Sequence, residues 1–408
     1  AGGNLYATAI NNSGTVRATG TTQKDGVVYF TAGEGDIDNS GTIQASNADG
    51  SGGRINVKGK TNSTILNSGS IDASGTEGGQ FVATATNVGL TDDSLIDVSG
   101  TQGDGGHAYI GGGKQGADES IANADAAYMG TDALILADAG TIGTGGEVIL
   151  WSEDVTRFYG TISAKGGTQS GDGGFVEVSG KANLNFAGDV DVRAPGSGAG
   201  GTLLIDPINI NITDGGDANL TAAGDANEDN ILEFWEPSVE PIPNLNSIDA
   251  DALTVILNAG MDVELQAANN IAVNESISKT GGTSASLTFT ANNDITINEE
   301  IKSTSNALNL TFIAANDLTI GADITTNEGD VSFTASNDFT TGAGSTIIGG
   351  DISIFASNID LNGPIEGFAA NAGSLFLDAT GQVNLNSTIG ANIPLFDIFI
   401  RTADLTGS

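Results

Sequence analysis

The feature that most constrains this chain is a repeat. Seven segments of one pattern begin at Val263, Leu287, Leu310, Val331, Ile352, Leu375 and Ile398, at separations of 24, 23, 21, 21, 23 and 23 residues. That period is too short for a domain and too long for a hairpin, which leaves a solenoid. Within a copy, Leu287, Phe289 and Ala291 alternate with Thr288 and Thr290, as in a strand with one buried face. Ile295 with Ile297, and then Ile301, begin two further short strands, so each copy reads as one three-stranded turn. Stacked turns predict columns of like residues. Leu265, Phe289, Phe312, Phe333, Ile354 and Leu377 form one, and Ala267, Ala291, Ala314, Ala335, Ala356 and Ala379 another. A third runs Asn269, Asn293, Asn316, Asn337, Asn358 and then Gly381. Asparagine tolerates a left-handed corner and can bond the same amide one turn up, so this row is expected to do both.

The first half repeats a different pattern. I-N-N-S-G-T-V-R-A-T-G (from Ile10), I-D-N-S-G-T-I-Q-A-S-N (Ile37) and I-L-N-S-G-S-I-D-A-S-G (Ile65) alternate with glycine pairs that precede an apolar run. Those pairs start at Gly52, Gly78, Gly105, Gly145, Gly173 and Gly200, at spacings of 26, 27, 40, 28 and 27. Each pair is expected to turn a sharp corner before a buried strand, and the spacing of 40 marks an excursion around 114–139. The expected fold is therefore all-β: a single-stranded, right-handed parallel β-helix of about 15 rungs with one irregular acidic insertion. The expected parts are a β-helix of glycine-pair repeats over 1–206, an acidic, proline-containing insertion over 207–250, and a β-helix of shorter repeats over 251–408. A short helix over 247–257 is expected, with Ser247 as its N-cap.

Composition narrows the function. Among 408 residues there are 51 acidic and 13 basic side chains, one histidine and no cysteine, for a net charge of −38. A surface this acidic repels phosphate, so nucleic acid is not an expected partner. With His107 alone, neither a Ser-His-Asp hydrolase nor a multi-histidine metal centre can be assembled. No apolar run approaches the ~18 residues of a membrane span, and the first residues lack the features of a signal peptide. Absence of cysteine suits a bacterial protein exported through an oxidising periplasm.

G-G-E-V-I-L-W-S-E-D-V-T-R-F-Y-G-T-I-S-A-K-G-G (145–167), G-D-G-G-F-V-E-V-S-G-K (171–181), G-G-T-L-L-I-D-P-I-N-I-N-I (200–212) and the recurring A-x-N-D-[IL]-T segments resemble the filamentous-haemagglutinin-like large exoproteins of two-partner secretion. The resemblance spans nearly the whole chain. It implies export by an outer-membrane partner transporter, an extracellular or cell-surface location, and a β-helical shaft working in adhesion, cell–cell cohesion or biofilm. The bound surface would be that of a host, a neighbouring cell or a matrix. The amino-terminal secretion domain of that family is not visible, and neither end carries a capping helix. The expectation is that the chain continues, or that its ends meet other copies in a filament. A self-assembling filament or sheath subunit is the alternative reading.

The stretch 214–243 breaks the repeat and holds three of the seven prolines. Within it, D-A-N-E-D-N-I-L-E-F-W-E (225–236) spaces Asp225, Asn227, Asp229 and Glu236 as the oxygen ligands of a calcium loop, with Asn230 at the glycine position. The competing reading is an acidic surface loop that packs Phe234 and Trp235 onto the shaft. Divalent cations bridging such a surface would promote association between copies. Polysaccharide cleavage is set aside: Asp92 and Asp93 are adjacent and face opposite ways on a strand, and basic partners are scarce. His107 is expected to fill a corner, and Trp151 to be a core or corner aromatic. The row Thr296, Thr319, Thr340 resembles an ice-binding ladder but fails at Ala272 and Asp360.

Overall fold

The computed structural model describes residues 8–20, 26–91, 93–214 and 246–407. They divide into two compact units, one of residues up to Asp206 and the other of 207–214 with 246–407. Both are parallel β-solenoids, about 14 turns in all.

In the first unit every turn contributes a strand to each of three sheets. One turn runs Asp36–Asn39, Thr42–Ser46, Arg54–Lys58, and the next runs Thr64–Asn67, Ser70–Asp72, Gln80–Thr84. The turns lie in register. Val16, Ile43, Ile71, Ile96, Ile135, Ile162 and Val190 form one inward column, so β-branched side chains nest at the ~4.8 Å strand spacing. A second inward column runs Val28, Ile55, Phe81, Ala108, Val148, Val176 and Leu203. The asparagines of the N-S-G motif also point inward: Asn12 Nδ2 donates to Asn39 Oδ1 at 2.7 Å, and Asn39 Nδ2 to Asn67 Oδ1 at 2.6 Å. The excursion is narrower than the spacing suggested. Ala126–Met129 and Leu134–Leu136 are ordinary rung strands, and only the segment after His107–Ile110, with its 3₁₀ turn Lys114–Gly116, leaves the coil.

In the second unit the predicted columns are present. Val263, Leu287, Leu310, Val331, Ile352 and Leu375 align, as do Leu265, Phe289, Phe312, Phe333, Ile354 and Leu377. Phe289 and Phe312 stack with ring centroids 4.8 Å apart, and Phe312 and Phe333 at 5.1 Å. The asparagine row behaves differently from expectation. None of its residues has a positive φ, and its amides bond the next residue of the previous turn instead of one another. Asn316 Nδ2 donates to Asp294 Oδ1 at 2.7 Å, Asn337 to Asp317 at 2.8 Å and Asn358 to Asp338 at 2.8 Å. A carboxylate is the stronger acceptor, and the diagonal pairing lets the same oxygen take a backbone N–H as well, as from Asp338 N to Asp317 at 3.1 Å.

The helix spans Ala250–Asn258, and its N-cap is Asp249, which accepts from Asp251 N at 2.8 Å. Ser247 lies instead in the strand Ser247–Asp249, fully buried. The helix buries Ala250, Leu253, Ile256 and Leu257, the i, i+3, i+4 pattern of one face, and stops at Gly260, whose φ is +78°. It stands between the strands Ser247–Asp249 and Asp262–Ala267 of its turn and packs against Ile277–Lys279 of the next. Ile210–Thr213 pairs with Ile271–Val273 on one side and with Ser247–Asp249 on the other, so strand order here departs from chain order.

Candidate functional site

The glycine pairs shape a concavity along one corner of the first unit. In each pair the second N–H bonds back across its own corner: Gly53 to Ala45 O, Gly79 to Ala73 O, Gly106 to Val98 O, Gly146 to Ala137 O, Gly174 to Ala164 O and Gly201 to Val192 O, at 2.7–3.0 Å. The first N–H bonds up to the next turn, as from Gly78 to Asp104 O at 2.9 Å. This closure leaves no room for a side chain. A Cβ on Gly78 would lie 2.1 Å from Val98 O, on Gly145 2.0 Å from Ala164 O, and on Gly173 1.8 Å from Val192 O. The corner was expected, but its cause is close backbone approach, since no glycine of these pairs has a positive φ.

A corner without side chains is a trough. It runs in two stretches of about 590 and 410 Å³ that meet at His107. One wall is a single outward column, Val27, Arg54, Gln80, His107, Glu147, Phe175 and Thr202, in register over seven turns. At ~4.8 Å per turn this wall is about 29 Å long. The other wall carries Asp49, Glu77, Asp104 and Thr144. Tyr29 stands beside the first stretch with 69% of its surface exposed. His107, expected to fill a corner, is exposed on the trough wall. Its ring lies parallel to that of Tyr109, with centroids 6.2 Å apart. The Tyr109 hydroxyl donates to Glu147 Oε1 at 2.6 Å, and His107 Nδ1 is 4.0 Å from the same oxygen. Burial, and then the Glu147 bond, raise the Tyr109 pKa, so the phenol stays a donor.

Beyond the wall the excursion forms a strap on the outer face. Trp151 lies on that face, paired with Ser179, and is buried against Gly112 and Gly116, where a Cβ would come within 2.9 and 2.4 Å of the indole. It is buried, as expected of a core aromatic, but by the strap and not by the interior of the coil. Gln115, at φ +53°, donates its backbone N–H to both oxygens of Glu177 at 3.1 and 2.9 Å, and its Nε2 to Asp206 Oδ2 at 2.9 Å. Lys114 Nζ sits 3.9 Å from the centre of the Phe175 ring. Glu177 has no exposed surface, and desolvation pushes its pKa up to about 7 against the bonds from Gln115 and Ser179. Burial raises Asp206 as well.

The predicted calcium ligands Asp225, Asn227, Asp229 and Glu236 lie outside the described residues, as does Asp92. Among the described residues no group of three or more His, Asp or Glu side chains is placed to hold a metal ion. No described helix is long and apolar enough to cross a membrane. Neither the trough nor the strap was foreseen. The signals present were the glycine pairs with a polar or aromatic residue two positions on, and the lengthened spacing of 40. A comparison with protein-family models gives no match, and a comparison with curated proteins gives none.

Proposed function

We propose that this chain is the shaft of a secreted bacterial exoprotein of the filamentous-haemagglutinin-like kind, a non-enzymatic element of adhesion, cell–cell cohesion or biofilm at the cell surface. The observation that carries this reading is the unbroken in-register stacking within each unit. Every interior strand there is hydrogen-bonded along the coil on both edges, so load along the coil is shared by many backbone ladders at once. A chain without cysteine has no disulfide to form before it reaches an outer-membrane partner transporter, which favours export in an extended state.

The test is genetic and physical together. Cells lacking the chain are expected to lose most of their attachment to a surface or to one another, and added protease is expected to remove the chain from intact cells. Attachment unchanged in the deletion strain, or a chain protected from protease until the cells are lysed, would overturn the proposal.

A further inference from the structure

We infer that the glycine trough of the first unit binds an extended neutral polysaccharide, lying along the coil against the wall from Val27 to Thr202. The inference deepens the adhesive reading by naming the chemistry of the surface that is held, and rests on it for where that ligand is met.

Three observations carry it. First, shape: the trough is open along its length and about 29 Å long at ~4.8 Å per turn, which suits a chain and not a compact metabolite. Its floor is backbone alone, and the second N–H of each glycine pair from Gly53 to Gly201 is already bonded within the protein. The floor therefore supplies van der Waals contact, and selectivity falls to the walls.

Second, the walls hold what a sugar chain needs. Tyr29 offers an exposed aromatic face at one end and His107 another near the middle, for the apolar faces of pyranose rings. Gln80, Arg54, Glu77, Asp104 and Glu147 supply donors and acceptors for hydroxyl groups. The His107 platform is built in advance: Tyr109 backs the ring in a parallel stack and is itself fixed by its 2.6 Å bond to Glu147. Preorganisation of that kind lowers the cost of ordering the ring on binding.

Third, charge decides among polymers. Arg54 is outnumbered by Asp49, Glu77 and Asp104 on the other wall and by Glu147 on its own, so polyanions are repelled. The acidic groups are spread over several turns and Glu147 is engaged by Tyr109, so the trough does not concentrate negative charge for a polycation.

The experiment is titration calorimetry of the full chain with three soluble polymers, a neutral β-glucan, a polygalacturonate and a chitosan, at physiological salt. Saturable binding of the glucan is expected, with no binding of the polyuronate and only salt-sensitive association of the chitosan. Tyr29→Ala and His107→Ala each are expected to weaken glucan binding about tenfold, which corresponds to about 1.4 kcal/mol. Circular dichroism that matches the unaltered chain shows each variant to be folded, and Gln80→Ala serves as a third variant on the same wall. No glucan binding, tighter binding of either charged polymer, or glucan binding unchanged in all three variants would overturn the inference. Calorimetry tests the trough in solution and cell attachment tests the adhesive reading, so either can fail alone.

Discussion

The two units close the same three-sided coil with opposite corner chemistry. Before the strands that begin at Arg54, Gln80 and Glu147, the first unit turns on glycine pairs whose backbone presses against the next turn. At the corresponding corner the second unit uses left-handed residues, Gly282, Asn306, Asn327 and Asn371, at φ between 49° and 71°. It then staples the corner from inside. Lys279 Nζ donates to Gly281 O at 2.5 Å and Ser305 O at 3.0 Å, Ser303 Oγ donates to Asn306 O at 2.8 Å, and Thr326 Oγ1 to Gly329 O at 2.5 Å. Lys279 is fully buried, and desolvation holds its ammonium below the ordinary lysine value. The lesson is that a repeat can keep its shape while changing what it spends at the corner. A corner made of backbone leaves a trough, whereas a corner made of side chains fills itself.

The largest expected effect is steric. Gly173→Ala places a methyl group 1.8 Å from Val192 O, where only backbone movement can relieve it. It is expected to cost more than about 3 kcal/mol of stability or to prevent folding, read from urea unfolding. Asn327→Ala, at the other kind of corner, is expected to cost only about 1 kcal/mol, the strain of a left-handed alanine. Equal losses in the two variants would break the comparison.

Next in size is a pH effect confined to the first unit. Glu177 is raised from its ordinary 4.5 to about 7 by burial under the strap. A carboxyl with a raised folded pKa contributes stability that is complete below the unfolded value and is lost as pH rises through the folded one. Closure of the strap therefore weakens between pH 4.5 and about 7, by on the order of 3 kcal/mol. Hydrogen-exchange protection at Gln115, corrected for intrinsic rate, is expected to fall from pH 5 to pH 8. Glu177→Gln keeps an acceptor for the Gln115 N–H and is expected to hold protection level across that range. A pH trend that persists in the variant would place the titrating group elsewhere.

The smallest expected effect belongs to the diagonal ladder. Asn337→Ala removes the 2.8 Å bond to Asp317 at an exposed site and is expected to cost about 0.5 kcal/mol in urea unfolding. A loss as large as that of Gly173→Ala would mean that the ladder closes the corner, and the distinction between the units would dissolve.

Much of this architecture is legible in the sequence because a column writes the same residue at a fixed period. The leucine, phenylalanine and alanine columns of the second unit stand out for that reason. The asparagine row was legible as a row, but its acceptors were not. Asp294, Asp317 and Asp338 sit one residue along, and a diagonal bond leaves no like-with-like signature. The glycine pairs announced corners, yet their requirement is contact between turns, which depends on how closely the coil winds. Trp151 reads as a core or corner aromatic, and it and Glu177 are buried only because a strap from another turn covers the outer face. His107 was misplaced for the converse reason, since outward residues beside a floor of glycine stay exposed. The helix cap moved from Ser247 to Asp249 because strand pairing to Ile210–Thr213 claimed Ser247 first.

The central claim is that successive turns lie parallel and in register, and the absence of cysteine makes it directly testable. Cysteines placed at the paired outward positions Thr296 and Thr319 should form a disulfide under mild oxidation, because in-register neighbours bring Cα atoms to the ~5 Å that the bond requires. Cysteines at Thr296 and Thr340 stand two turns apart, about 10 Å, and should stay reduced. Efficient bridging of the first pair alone is the predicted result. Bridging of the second pair in preference, or of neither, would contradict the stacked coil and everything inferred from it.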